Sequence, residues 1–395
     1  AASTMYSASL YLFLLALLQP ISVALVPQTW KYGAFDVSYS STSSTTPTPS
    51  STQPTLPLLL LNGFGVGQFY QERLVDELST PDSGLSPIYT LDYLGQGSSW
   101  PREVPPSAAL DDVGTSASEK GLRYGVEDWA EQILTFIDEV MIVPEGNGRI
   151  AIGGNSVGGH IACVLAARYP EKFDTIVLFN ATPVWGGLGA KLPSFISSWD
   201  GVLPAPKLER AVGKFLYDRI RDPTNVRALM AECYHHRDSY DGVVEGIVEA
   251  ASNDGGHAAF GSILFSPGFP EVCDFYKLFD EHSDTSHISI LGVYGESDPW
   301  IDPRFAKHLF GSFKSVKRRT LVTLSAAAHC PNNEAPVACA TLLKRFVKGE
   351  SITSCADESF AEKHYDGSNI ATHVKDFAQS AAATAFCETL QYFAA

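Results

Sequence analysis

Closely spaced cysteines are missing. The 395-residue chain holds seven, and no two form a C-x-x-C pair. Thiolate zinc sites draw on such pairs, so a zinc centre is not expected. Seven is odd, so at least one cysteine is free or pairs outside the chain. Cys355 and Cys387 bracket the C-terminal tail, and the sequence leaves open whether they are bridged. Positive charge is scarce too. Lys and Arg number 28 against 44 Asp and Glu, a net charge of −16. That argues against nucleic acid and against anionic membrane surfaces. Long apolar runs are lacking: Leu10 to Leu18 is too short to span a bilayer. No internal repeat is evident.

What is present is Gly153-Gly154-Asn155-Ser156-Val157-Gly158-Gly159. The apolar Ile150-Ala151-Ile152 before it reads as a buried strand. His160 to Tyr169 after it has no breaker before Pro170 and reads as a helix. A serine on such a turn is the G-x-S-x-G nucleophile elbow. A phosphate loop would need Lys and then Ser/Thr after its last glycine, where His160 and Ile161 stand. The spaced glycines of a dinucleotide site are absent as well.

Around the elbow, strand and helix alternate. Leu58 to Leu61 and Ile88 to Asp92 read as strands, Gln68 to Leu78 and Glu127 to Val140 as helices, and Thr175 to Asn180 as a further strand. This implies an α/β fold, a mostly parallel sheet with helices on both faces. The alternation stops at Ala181, and helical stripes such as Leu208, Val212, Phe215, Leu216 and Ile220 replace it up to His287. That segment reads as an inserted, mainly helical lid. Its Trp185, Leu188, Leu192, Phe195, Ile196 and Trp199 either pack the lid onto the sheet or line a greasy substrate channel. Strand signals resume at Ile288 to Gly295 and Thr320 to Leu324, and Pro336 to Val347 fits a last helix. The expected divisions are a targeting signal over 1–27, an opening strand (Trp30 to Tyr39) and Ser/Thr/Pro-rich loop over 28–57, a core over 58–180 and 288–348, the lid over 181–287, and an extension over 349–395.

A serine hydroxyl needs a base, and the base needs an acid to orient it. Ser156, Asp298 and His329 follow the chain order Ser, Asp, His of this fold, each just after an expected strand. Glu296 and Asp302 are rivals to Asp298. Backbone N–H groups of Val157 and Phe64 fit an oxyanion hole. His160 and Asp92 read as structural. His235 and His236 point about 100° apart on a helix and have no carboxylate cluster, so they do not suggest a metal site.

Several stretches resemble the pheophytinase-type α/β-hydrolases, which include plant pheophytinase and similar algal chlorophyllases. They are Gly63-Phe64-Gly65-Val66-Gly67, Asp92 to Ser98, the elbow, Asn180-Ala181-Thr182-Pro183-Val184-Trp185-Gly186, Leu203-Pro204-Ala205-Pro206, Tyr294 to Trp300, and His329-Cys330-Pro331 with Glu334. The likeness runs from Leu58 to Val347. It implies a serine esterase that cleaves the phytyl ester of chlorophyll or pheophytin. No cofactor is implied, since any magnesium belongs to the substrate. A plastid location and peripheral association with a pigment-bearing membrane are implied too, the N-terminal run serving as the first part of a two-step signal; plain secretion is the alternative. Asn62 stands where Pro is expected and Ala328 where Gly is expected. If position 328 requires positive φ, Ala strains the histidine loop. The competing expectations are a general lipase or carboxylesterase and a non-catalytic domain that binds a pigment or hormone.

Overall fold

The computed structural model describes residues 25–42, 55–101, 121–143, 148–182, 198–236, 240–253, 255–267, 284–301 and 315–352, with isolated positions between 279 and 313 and the backbone of three short strands beyond 359. β1 (Leu25–Tyr32) and β2 (Phe35–Thr42) form an antiparallel hairpin. The single opening strand expected from Trp30 to Tyr39 is therefore two, because Gly33 at φ +53 turns the chain between them. β1 also begins inside the 1–27 segment expected as a targeting signal.

The chain continues through β3 (Leu56–Leu61), a 3-10 turn at Gln68–Gln71, α1 (Glu72–Leu78), β4 (Leu85–Leu91), the two-residue β5 (Trp100–Pro101) and α2 (Val126–Glu139). Then come β6 (Ile150–Asn155), α3 (Val157–Arg168) and β7 (Phe173–Phe179). Among the described residues, four helices lie between β7 and the next strand: α4 (Lys207–Ile220), α5 (Pro223–Cys233), α6 (Asp241–Ala250) and α7 (Gly256–Phe265). β8 (Ser289–Gly295), β9 (Arg318–Leu324), α8 (Pro331–Glu334) and α9 (Pro336–Val347) complete the core. β10 (Phe360–Ala361), β11 (Asn369–Ile370) and β12 (Thr372–Asp376) follow.

The main sheet runs β1-β2-β4-β3-β6-β7-β8-β9-β12, with β5 beside β2. The six strands from β4 to β9 are mutually parallel, and the edges are antiparallel. Of the C-terminal extension, β12 adds an edge strand to β9, which the sequence did not announce.

Strand alternation explains the continuous apolar runs. Leu59, Leu61, Ile152 and Leu178 share one core with Trp129, Phe136 and Val164 from α2 and α3. Leu58, Leu60, Ala151 and Val177 face the other way, onto Leu74 of α1 and Leu342 of α9. Both faces are covered, so every position of such a strand is apolar. Each of the four fully buried leucines of β3 contributes about 1.5–3 kcal/mol of burial. The parallel strands all end on one edge, and β3, β6, β7, β8 and β9 deliver the loops described next.

Candidate active site

Ser156 sits between β6 and α3 at φ 53 and ψ −121. Such a conformation costs a non-glycine residue about 1–3 kcal/mol and persists only where its surroundings impose it. Ser156 N–H donates to Phe179 O at 3.0 Å, and Ser156 O accepts from His160 N at 3.2 Å and Thr182 N at 3.1 Å. The turn is tight. A methyl on Gly154 would lie 2.4 Å from the Gly158 carbonyl carbon, and one on Gly158 would lie 2.6 Å from the carbonyl oxygens of Leu61 and Asn62. No side chain fits at either position, and the start of α3 is pressed against β3 and β6.

Asp298 and His329 come together across the ends of β8 and β9. His329 Nδ1 lies 2.8 Å from Asp298 Oδ2, with the Asp298 side chain fully buried. Asn180 Nδ2 donates to the same oxygen at 2.5 Å, while the amides of Trp300 and Ile301 donate to Asp298 Oδ1 at 2.8 and 3.1 Å. The carboxylate is thus fixed by four partners. Asn180 also accepts from Gly295 N–H at 2.9 Å through Oδ1, tying β7 to β8. It does so at φ 41, a left-handed conformation that Asn tolerates. The Trp300 ring stands edge-on to His329, centroids 4.7 Å apart. Of the rivals to Asp298, Glu296 is exposed and Asp302 lies outside the described residues.

The histidine loop is held from three sides. Asn155, just before the serine, donates from Nδ2 to His329 O at 2.8 Å and to Phe179 O at 3.1 Å. His329 N–H donates to Cys233 O, at the end of α5, at 3.0 Å. Buried Glu334 accepts from Ala328 N–H at 2.8 Å and from His236 N–H at 2.6 Å. Burial raises the Glu334 carboxyl to about 7, against the lowering effect of those amides. Ala328 is buried and does not take positive φ; among the described residues the non-glycine positions that do are Ser156 and Asn180. The strain expected from Ala in place of Gly is therefore absent.

The loop after β3 carries Phe64. A methyl on Gly63 would stand 3.6 Å from Ser156 Cβ, so this loop passes beside the serine. Gly65 N–H donates to Gln96 Oε1 at 2.8 Å, which fastens it to the loop after β4. Asp92 accepts from Gln68 N–H at 2.6 Å and Ser98 N–H at 2.8 Å, closing both loops around one carboxyl that burial raises to about 7. Val157 opens α3, where first-turn N–H groups have no intrahelical partner. Beside Phe64 an open cleft is lined by Gln96, Trp100, Tyr217, Phe260 and Ile263 among others. Tyr217 and Phe260 did not stand out in the sequence, because an aromatic that lines a cleft has the same helical spacing as one in a core. Trp199 packs on the Phe265 ring at 5.4 Å and donates to Val202 O at 2.6 Å. Trp185, Leu188, Leu192, Phe195 and Ile196 lie outside the described residues. Among the described residues, no cluster of three or more His, Cys, Asp or Glu is placed to hold a metal ion.

A sequence profile of the alpha/beta hydrolase family matches residues 58–342, well over half of the chain. The chain belongs to the alpha/beta hydrolase family. Among curated relatives, the chloroplastic pheophytinase of Arabidopsis thaliana is 28% identical over 316 residues, 74% of this chain and 61% of that protein. A pimeloyl-[acyl-carrier protein] methyl ester esterase of Neisseria meningitidis serogroup C is 28% identical over 244 residues, 62% of this chain and 84% of that enzyme. Solved alpha/beta hydrolases share the fold at low identity. A thermophilic esterase from Thermogutta terrifontis aligns at TM-score 0.52 and 16% identity, covering 82% of this chain and 98% of its own. The 2-hydroxy-6-oxo-6-phenylhexa-2,4-dienoate hydrolase of Rhodococcus sp. strain RHA1 aligns at 0.53 and 18%, covering 82% and 99%.

Proposed function

We propose that this alpha/beta hydrolase is a serine esterase that removes the phytyl group from chlorophyll or pheophytin, in a plastid. The observation that carries the reading is the similarity to Arabidopsis pheophytinase across most of this chain, lid helices included. The cleft beside Phe64, with Trp100, Tyr217 and Phe260 on its wall, suits an apolar ester.

In the proposed mechanism Ser156 Oγ attacks the ester carbonyl. Nδ1 of His329 faces Asp298, so Nε2 takes the serine proton. Asp298 holds the tautomer and stabilises the cation. The carbonyl oxygen, now negative, is met by the N–H groups of Val157 and Phe64. Collapse expels phytol, which receives its proton from His329, and leaves the acid esterified to Ser156. Water then attacks this acyl-enzyme, giving up a proton to His329; the bond between the acyl carbon and Ser156 Oγ breaks as His329 returns that proton to the serine, and the free carboxylic pigment leaves.

The test is chromatography of products from chlorophyll a and pheophytin a, in detergent, with Ser156→Ala as control. Dephytylated pigment from the wild type and none from the variant is the expected result. No product from either pigment, with good turnover of simple esters, would overturn the reading. It would favour a general carboxylesterase, the second reading, for which the similarity to the Neisseria methyl ester esterase speaks.

A further inference from the structure

The outer face of α4 does not fit a helix that only packs on a protein. Leu208, Val212 and Phe215 recur at helical spacing, and with Ile220 they form a stripe. Leu208 and Phe215 are 58% and 59% exposed, Ile220 is 45% and Val212 38%. Leu229 on α5 is 39% exposed as well. The inner face of the same helix does pack: Gly213 meets Gly261 of α7, and the Tyr217 ring lies 5.5 Å from Phe260 on the cleft wall. One helix thus has an inner face on the cleft and an apolar outer face exposed at the surface.

Charge says what covers that outer face. Between Lys207 and Asp222 the chain carries five basic residues, Lys207, Arg210, Lys214, Arg219 and Arg221. Three acidic ones oppose them, and of these Glu209 is buried. Asp218 is occupied by Lys214, Arg221 and His257. Lys207 and Arg219 are exposed beside the stripe, and the Arg219 guanidinium stands 5.3 Å from the Phe215 ring centroid. An apolar stripe flanked by Lys and Arg is the pattern of a helix lying in the boundary between lipid headgroups and acyl chains. The net charge of −16 counts against anionic surfaces for the chain as a whole, but screening over about 8 Å at physiological ionic strength leaves local charge in control. A second copy of the chain fits poorly, since two basic helices would face one another.

We infer that α4 docks this protein on an anionic lipid surface, with Leu208, Val212, Phe215 and Ile220 in the interface and Lys207 and Arg219 among the headgroups. Docking would set the wall of the cleft at the lipid boundary, where a membrane-dissolved ester could reach it. The inference goes beyond the proposed reaction and holds whichever ester is cleaved.

The experiment is co-sedimentation of the full chain with phosphatidylcholine vesicles, with and without phosphatidylglycerol. The wild type should bind the anionic vesicles and bind neutral ones weakly. Leu208→Asp/Phe215→Asp should lower partition by about tenfold or more, and Lys207→Ala/Arg219→Ala should remove most of the preference for anionic lipid. Turnover of a short water-soluble ester should stay at the wild-type level in both, which reports folding and the chemistry independently of docking. Failure of the wild type to bind either vesicle would overturn the inference. So would binding that the double aspartate variant leaves unchanged. A wild type that is dimeric by light scattering, becomes monomeric in the aspartate variant and ignores vesicles would assign the stripe to self-association instead.

Discussion

The sheet edge and the helices between β7 and β8 of this alpha/beta hydrolase are built to different standards. At the edge every group is fixed more than once. Asp298 has four hydrogen-bond partners, and the His329 loop is tied to Asn155, Cys233 and Glu334. The strands behind are buried on both faces. Among those helices, α4 buries one side and leaves Leu208 and Phe215 more than half exposed. Multiple fixing is found where atoms are proposed to react, while α4, on the wall of the cleft, leaves an apolar face exposed.

The largest break of this contrast is chemical. Ser156→Ala should lower kcat by at least about 10⁴-fold in an ester assay, with the thermal midpoint held or raised as elbow crowding eases. Asp298→Asn should approach the same loss, about 10⁴-fold, because His329 would be held in the wrong tautomer. A fall under tenfold in either would move the chemistry away from these residues. On the stability side, Leu60→Ala opens a cavity under a fully buried strand position and should cost about 2–5 kcal/mol in urea unfolding. Phe215→Ala on α4 should change stability by no more than about 0.5 kcal/mol. Comparable costs at the two positions would remove the contrast.

Between these lies Asn180→Ala, which takes one donor from Asp298 and strands Gly295 N–H. A fall in kcat of about 10- to 100-fold with little change in KM is expected. The smallest effect sharpens the picture of the histidine loop. The Glu334 carboxyl stands at about 7 in the folded chain, above its ordinary 4.5. The folded state therefore holds a proton that the unfolded chain releases between those values. Its contribution to stability is complete below about 4.5 and declines as pH rises through 7. Asp92, raised to about 7 for the same reason of burial, has the same sign. Glu334→Gln should flatten the decline in unfolding free energy between acidic and mildly alkaline pH. An unchanged slope would show that Glu334 does not titrate there.

Much of this was legible in the residues. The elbow was, because a serine flanked by glycines between an apolar strand and an apolar helix admits few structures. The parallel strands were, because burial on both faces makes them uniformly apolar. Asp298 and His329 could be nominated by chain order, but their 2.8 Å contact depends on the adjacency of β8 and β9. Asn180 and Glu334 could be quoted as family stretches, yet nothing local said that one would clamp Asp298 and the other join the histidine loop to the turn after α5. Their partners are over a hundred residues away in the first case and come from two different loops in the second. The stripe of α4 was legible as a helix period, but a period gives a face and not what the face meets. Composition is a chain-wide sum as well, so an excess of acid says nothing of one helix with five basic residues between Lys207 and Asp222.

By itself the sequence determined the local conformations: which segments become strands or helices, where glycine lets the chain turn, and which serine stands on the strained turn. Tertiary structure alone decided which distant polar groups share a hydrogen bond, that β12 closes the sheet beside β9, and that the apolar stripe of α4 stays in contact with solvent. The physical reason is that backbone preference and hydrophobic period act over a few residues, whereas burial and pairing depend on what the rest of the fold brings alongside.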